Sequence, residues 1–119
     1  MEFDLMARAS NWENSADLAQ RLEGAGFSGM LVTEASQVPW MAITAAAMAA
    51  KKLEFSTGIA VAFPRSPMMS AQIAWELAAN TKGRFRLGLG SQVKAHVTRR
   101  YASVFDRPAP QMKDYLQAV

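Results

Sequence analysis

The chain has 119 residues, half of them apolar and 19% charged, which suits one folded domain with a buried core and excludes a disordered polymer. It has no cysteine and one histidine, so disulfides and thiolate metal sites are excluded and no metal ligand set is expected. The net charge of +3 is uneven: residues 1–80 carry five basic and eight acidic side chains, residues 81–119 eight basic and two acidic. That bias suits an anionic partner or the acidic tail of a coenzyme, and equally an ordinary solvated face.

No apolar run approaches the roughly 20 residues that span a bilayer, and Met1-Glu2-Phe3-Asp4 lacks the basic start of a secretory signal. The expected location is the cytoplasm, with no membrane partner. Glu2-Phe3-Asp4-Leu5-Met6 alternates as a first strand does. Asn14-Ser15-Ala16-Asp17 offers capping side chains, and Leu18, Ala19, Leu22 and Ala25 follow at helical spacing before Gly26, which predicts a helix over about 15–25. Met30-Leu31-Val32-Thr33 is a buried strand, ended by a polar loop and Pro39.

Pro39 suits a helix start, and the alanine-rich stretch from Trp40 to Ala50 continues it, with Lys51 and Lys52 favourable at its C-terminal dipole. Leu53 to Phe63 reads as one strand before Pro64. Pro67 opens a third helix, with Met69, Ile73, Ala74 and Leu77 on one face and Trp75 widening it. Trp40, Trp75 and the eight methionines read as core and sheet-covering residues. Phe85-Arg86-Leu87-Gly88-Leu89-Gly90 is a fourth strand in which glycine removes bulk where another group approaches. A polar loop of about 15 residues and a last helix from Pro110 complete the chain. Four strands alternating with helices imply a parallel sheet joined by right-handed crossovers.

Several fragments, in this order, carry a resemblance: Glu23-Gly24-Ala25-Gly26-Phe27-Ser28-Gly29, Val32-Thr33-Glu34, Thr57-Gly58-Ile59-Ala60-Val61-Ala62, Pro64-Arg65-Ser66-Pro67 and Gly83-Arg84-Phe85-Arg86-Leu87-Gly88-Leu89-Gly90. Together they resemble the luciferase-like superfamily of flavin and deazaflavin monooxygenases and oxidoreductases. Ser91-Gln92-Val93-Lys94-Ala95-His96 is similar to the branch that uses coenzyme F-420. The resemblance implies an α/β fold, the (β/α)8 TIM barrel, with the active site in the loops at the C-terminal ends of the strands. A complete barrel needs about 250 residues. Residues 1–119 therefore correspond to a half-barrel of four parallel βα units, a single domain. An open half exposes two strand edges and the inner face of the sheet, expected to be apolar, so the expectation is a homodimer that approximates the barrel.

By the same resemblance, Gly58, Ile59 and Ala60 fall where such proteins back the flavin or deazaflavin ring, often with a non-prolyl cis peptide; an ordinary trans bond is the expectation here. Glu34 is a candidate acid or base at the end of strand two, or a carboxylate that caps a loop through backbone N–H groups. The position matching a relative's histidine is Ala35, which weakens transfer of proton chemistry. Gly90, Ser91, Gln92 and His96 follow strand four; His96 is suited to proton exchange, or to simple solvation. Arg65, Arg99 and Arg100 are candidates to hold an acidic tail. Arg84, at the opposite end of the barrel, is assigned to stability.

Two functions stay open. One is the N-terminal half of an oxidoreductase with F-420, or alternatively FMN, as cofactor, active only if oligomerisation rebuilds the barrel mouth. The other is a noncatalytic remnant or assembly module that binds no cofactor. Nucleic acid is not an expected partner, because the basic end lacks a base-reading motif.

Overall fold

Alternation in the first strand sets the architecture, which a computed structural model describes for all of residues 1–119. In β1 (Asp4–Arg8), Leu5 and Ala7 turn toward the helices, while Asp4, Met6 and Arg8 are exposed on the other face. The elements then follow as α1 (Trp12–Gly24), β2 (Gly29–Thr33), α2 (Pro39–Ala49), β3 (Glu54–Thr57), β4 (Ala60–Val61), α3 (Pro67–Asn80), β5 (Phe85–Arg86), β6 (Leu89–Gly90), α4 (Lys94–Tyr101) and α5 (Pro108–Ala118).

All pairings are parallel. The main sheet runs β1-β2-β3-β5, and β4 pairs with β6 in a short second ladder. The third expected strand is thus two pieces, β3 and β4, and the fourth is β5 and β6. Each is interrupted between its two pieces, and the β4-β6 pair keeps the same neighbours as β3-β5. Between β3 and β4 the Gly58–Ile59 peptide is cis, against the expected trans bond. The groups flanking it are held by strand two: Gly58 N–H donates to Val32 O at 2.9 Å, and Ile59 O accepts from Glu34 N–H at 3.3 Å.

The core lies between the sheet and helices α1, α2 and α3. Met30, Val32, Phe55 and Phe85 project from the strands onto Ala19, Leu22, Ile43, Ala46 and Leu77. Alanines on α2 let the helix approach closely, and the chain buries Ile43 and Ala46 completely. A second cluster of Ala62, Phe63, Val97 and Tyr115 seats α4 and α5 beyond the strand ends.

Several expectations need correction. The 15-residue polar loop contains α4, because Val97, fully buried, and Tyr101, one turn later and half-buried, anchor one face of an otherwise polar segment. The first helix starts earlier than expected, at Trp12, because Asn11 rather than Asn14 caps it: Asn14 N–H donates to Asn11 Oδ1 at 2.8 Å. Trp75 is 75% exposed, Met69 is 51% exposed and Met48 is 74% exposed, so these side chains do not cover the sheet. Only Met30 among the eight methionines is core. The inner face of the sheet is not an apolar layer either. Register aligns Asp4 with Gly29 and Glu54, and Met6 with Leu31, Ser56 and Arg86, and Arg86 is ion-paired with Glu54 across that face.

Candidate functional site

Where β2 ends, the chain places a buried carboxylate. The Glu34 side chain is 2% exposed and meets Arg65, 16% exposed, in a two-pronged pair: Arg65 Nη2 donates to Glu34 Oε1 at 2.6 Å and Arg65 Nη1 to Oε2 at 2.8 Å. Val61 N–H donates to Oε2 at 2.8 Å, and the Tyr101 hydroxyl donates to Oε1 at 3.3 Å. Arg65 Nη1 also donates to Val61 O at 2.7 Å. The guanidinium lies 5.6 Å from the centre of the Trp40 ring, which covers its π-face.

Electrostatics follows from this packing. Burial works against the Arg65 charge, but the hydrogen bonds and negative charge of Glu34 outweigh it and hold the guanidinium above its ordinary value. Burial first, and the Glu34 charge second, push the Tyr101 phenol up. The ensemble is a charge-balanced cluster in which both carboxylate oxygens and both terminal guanidinium nitrogens are engaged.

Beside it lies the segment Gly58, Ile59 and Ala60. The Leu31 side chain occupies the space in front of Gly58, where an added Cβ would lie 2.1 Å from Leu31 Cδ2. Ile59 packs in the same way against Gly90, 2.8 Å from the position of its missing Cβ. Glycine at 58 and 90 therefore admits side chains of neighbouring strands. Ala60 is fully buried toward the helices, while Leu31 and Ile59 are half-buried.

Gly90, Ser91 and Gln92 leave β6 and lead into α4. Gln92 has φ 59° and turns its own side chain back, with Oε1 accepting from Val93 N–H at 3.1 Å. Ser91 Oγ donates to Gln92 O at 3.2 Å. His96, Arg99 and Arg100 are exposed on α4, and none forms an ion pair; Arg100 lies over the Tyr101 ring at 5.2 Å. The structure thus joins Glu34 and Arg65, sets Gly90 against Ile59, and places His96, Arg99 and Arg100 on a separate, solvent-facing surface.

Trp40 and Tyr101 belong to the site and were not among the sequence candidates. Tyr101 was legible in principle through its spacing from Val97, once the segment is recognised as a helix. Trp40 gave no such signal, because its partner Arg65 is brought to it only by the fold. Two concavities lie elsewhere. One of about 430 Å³ is lined by Ser10, Asn11, Trp12, Gln37, Val38 and Met41 beside the ends of β1 and β2. The other, about 590 Å³, runs between α2 and α3 on the outer surface. No helix is long and apolar enough to cross a membrane.

Residues 2–119 match the family model described as luciferase-like monooxygenase. The uncharacterized protein Rv1360 of Mycobacterium tuberculosis (strain H37Rv) and the uncharacterized protein Mb1395 of Mycobacterium bovis are each 40% identical over 105 residues, covering 88% of this chain and 31% of theirs. Among solved structures, the oxygenating constituent of 3,6-diketocamphane monooxygenase from Pseudomonas putida, a type II Baeyer-Villiger monooxygenase in complex with FMN, superposes with a TM-score of 0.83 at 19% identity, over 98% of this chain and 38% of that one. The coenzyme F-420-dependent tetrahydromethanopterin reductase of Methanopyrus kandleri gives a TM-score of 0.82 at 19% identity, over 96% and 38%. These structural likenesses show the fold, and the chain spans under half the length of each of these relatives. The parallel α/β architecture and the match along almost the whole sequence place this chain in the luciferase-like monooxygenase family.

Proposed function

We propose that residues 1–119 form the N-terminal βα portion of a flavin- or deazaflavin-dependent oxidoreductase, with F-420 or FMN as the coenzyme, working when further strands close the barrel mouth. The observation that carries this reading is the half-buried apolar pair Leu31 and Ile59, packed against Gly58 and Gly90, with the Gly90-Ser91-Gln92 turn leading from there into an unpaired basic helix. Such a surface fits a planar ring, and Lys94, Arg99 and Arg100 suit an acidic tail. Gly58, Ile59 and Ala60 would support the ring, with Ser91 and Gln92 at its edge. When bound, the coenzyme supplies hydride chemistry, and the protein supplies orientation and electrostatics.

His96, the chain's one imidazole, is exposed on α4 and is the proposed proton-transfer group. Glu34 is less suited to that task, because Arg65, Val61 and Tyr101 already occupy its oxygens. A second copy of the chain is the proposed closing partner: the free edges of β1 and β5 present unpaired backbone groups, and exposed edges invite strand pairing.

The saturation of Glu34 and the exposure of His96 favour a second reading, a noncatalytic assembly module. Titration with FMN and with F-420, followed by visible absorbance and thermal stabilisation, separates the two. A spectral shift with a rise in melting temperature supports the coenzyme reading. A folded oligomer that responds to neither supports the module, and a monomer by sedimentation at micromolar concentration overturns the second-copy proposal.

A further inference from the structure

In a parallel ladder each strand alternately donates to and accepts from its neighbour. Strand two follows this rule up to its last contact, in which Gly58 N–H donates to Val32 O and Glu34 N–H donates to Ile59 O. The next link would run from the third strand back to a main-chain carbonyl of strand two. Instead, Val61 N–H donates to the Glu34 carboxylate at 2.8 Å, and Val61 O accepts from Arg65 at 2.7 Å. Both backbone groups of Val61 on that side are therefore satisfied by side chains, which in turn hold each other at 2.6 and 2.8 Å.

On the other side, β4 is tied to β6 in the ordinary way, with Ala60 N–H donating to Gly88 O at 2.8 Å and Ala62 N–H to Gly90 O at 2.9 Å. Residues 59–61 are thus fixed from two directions, one by backbone and one by an ion pair. Tyr101 adds α4 to the same carboxylate.

We infer that Glu34 and Arg65 are positioning residues: their ion pair extends the ladder beyond the end of strand two, fixes the backbone of Val61 and so sets the adjoining Gly58-Ile59-Ala60 platform against which the coenzyme ring rests. Arg65 is thereby engaged in holding the platform, and the acidic tail falls to Lys94, Arg99 and Arg100. The part of this inference that concerns the ring rests on the coenzyme reading above; the part that concerns the platform does not.

The test uses the 119-residue chain labelled for NMR and compares hydrogen exchange of the Val61 and Ala62 amides. The double variant Glu34→Gln with Arg65→Met removes both charges together, so neither is left buried alone. The Val61 amide is expected to exchange faster relative to Ala62 by about tenfold, since a charge-assisted bond becomes at best a neutral one, no longer held by Arg65, on one amide only. A parallel rise at both amides would show general loosening and overturn the clamp. Should the double variant fail to fold, Arg65→Lys decides: it keeps a counter-ion for Glu34 but cannot hold both carboxylate oxygens and Val61 O together, so the Val61 amide is expected to exchange faster relative to Ala62, and an unchanged ratio overturns the inference. FMN affinity of the folded variant is expected to fall by about tenfold, and unchanged affinity overturns the link to the ring. A wild-type chain that binds neither FMN nor F-420 overturns the coenzyme reading, while the exchange ratio still decides the clamp.

Discussion

Glu23 and Arg84 grip the same turn through opposite kinds of backbone group. Glu23 Oε2 accepts the N–H groups of Lys52 and Leu53, and Arg84 donates to Leu53 O and, from Nε at 3.0 Å, to Thr81 O. Arg84 also lies over the Phe55 ring at 5.6 Å. The turn between α2 and β3 is consequently held at the end of the sheet opposite the candidate site, where a barrel keeps stability.

Replacing Arg84 with methionine keeps much of the stem's volume and removes its donors. The expected loss is about 1.5–3 kcal/mol, the usual worth of hydrogen bonds to a charged group. Urea denaturation monitored by circular dichroism checks it, and a change well below 1 kcal/mol would contradict the assignment.

The N–H of Lys52, followed by that of Leu53, holds the Glu23 carboxyl below its ordinary value despite an opposing desolvation. A depressed carboxyl contributes stability above its unfolded value, and the contribution disappears as pH falls through the folded value. The melting temperature of wild type should therefore exceed that of Glu23→Gln at neutral pH. The gap should begin to shrink as pH enters the ordinary carboxylate range, near about 4, and close only below it, as pH falls through the lowered folded value; a gap independent of pH would refute the linkage.

Arg65→Met alone leaves Glu34 buried without its counter-ion. The expected cost is about 3–5 kcal/mol, larger than that of the charge-free double variant, because an uncompensated buried charge dominates. Comparing the two by denaturation separates ion-pair breakage from the loss of platform order.

Gly88 and Gly24 make a paired test. A Cβ on Gly88 would lie 2.0 Å from the Thr57 carbonyl oxygen, a backbone atom that cannot rotate away, whereas nothing lies within 4 Å of a Cβ on Gly24. Gly88→Ala is expected to cost about 3 kcal/mol or to prevent folding. Gly24→Ala, near the end of α1, is expected to be neutral or stabilising by up to about 0.5 kcal/mol. Thermal melts of the two variants give the comparison directly.

Tyr115 and Ser70 share a buried hydrogen bond of 2.7 Å between α5 and α3, and the Tyr115 hydroxyl also reaches Ser66 O at 3.2 Å. Tyr115→Phe leaves the Ser70 hydroxyl without this partner. A loss of about 1–2 kcal/mol is expected, with the amides of α5 losing exchange protection before those of the sheet; uniform loss across the chain would contradict the separate seating of α5.

The elements and their parallel order were legible because the short apolar run Met30-Leu31-Val32-Thr33, the prolines at 39 and 67, and the glycines at 26 and 83 are local signals. So was Arg84, whose place at the start of a strand assigns it to the stable end of the sheet. Helix α4 was hidden by its composition, since only Val97 and Tyr101 are drawn inward from an otherwise polar stretch. The exposure of Trp75 and Met69 was hidden for the opposite reason: apolar type suggests burial, but only packing decides which face finds a neighbour.

What the residues determine by themselves is the repeating strand and helix pattern, the family resemblance, and the set of polar groups available near the strand ends. Only the tertiary structure decides how those groups are used. Glu34 and Arg65 read as separate candidates for proton transfer and anion binding, yet the fold brings them into one ion pair around Val61, because the third strand resumes as β4 where strand two has ended. Local preference fixes strands and helices over a few residues, whereas charge pairing depends on distances set by every crossover between them.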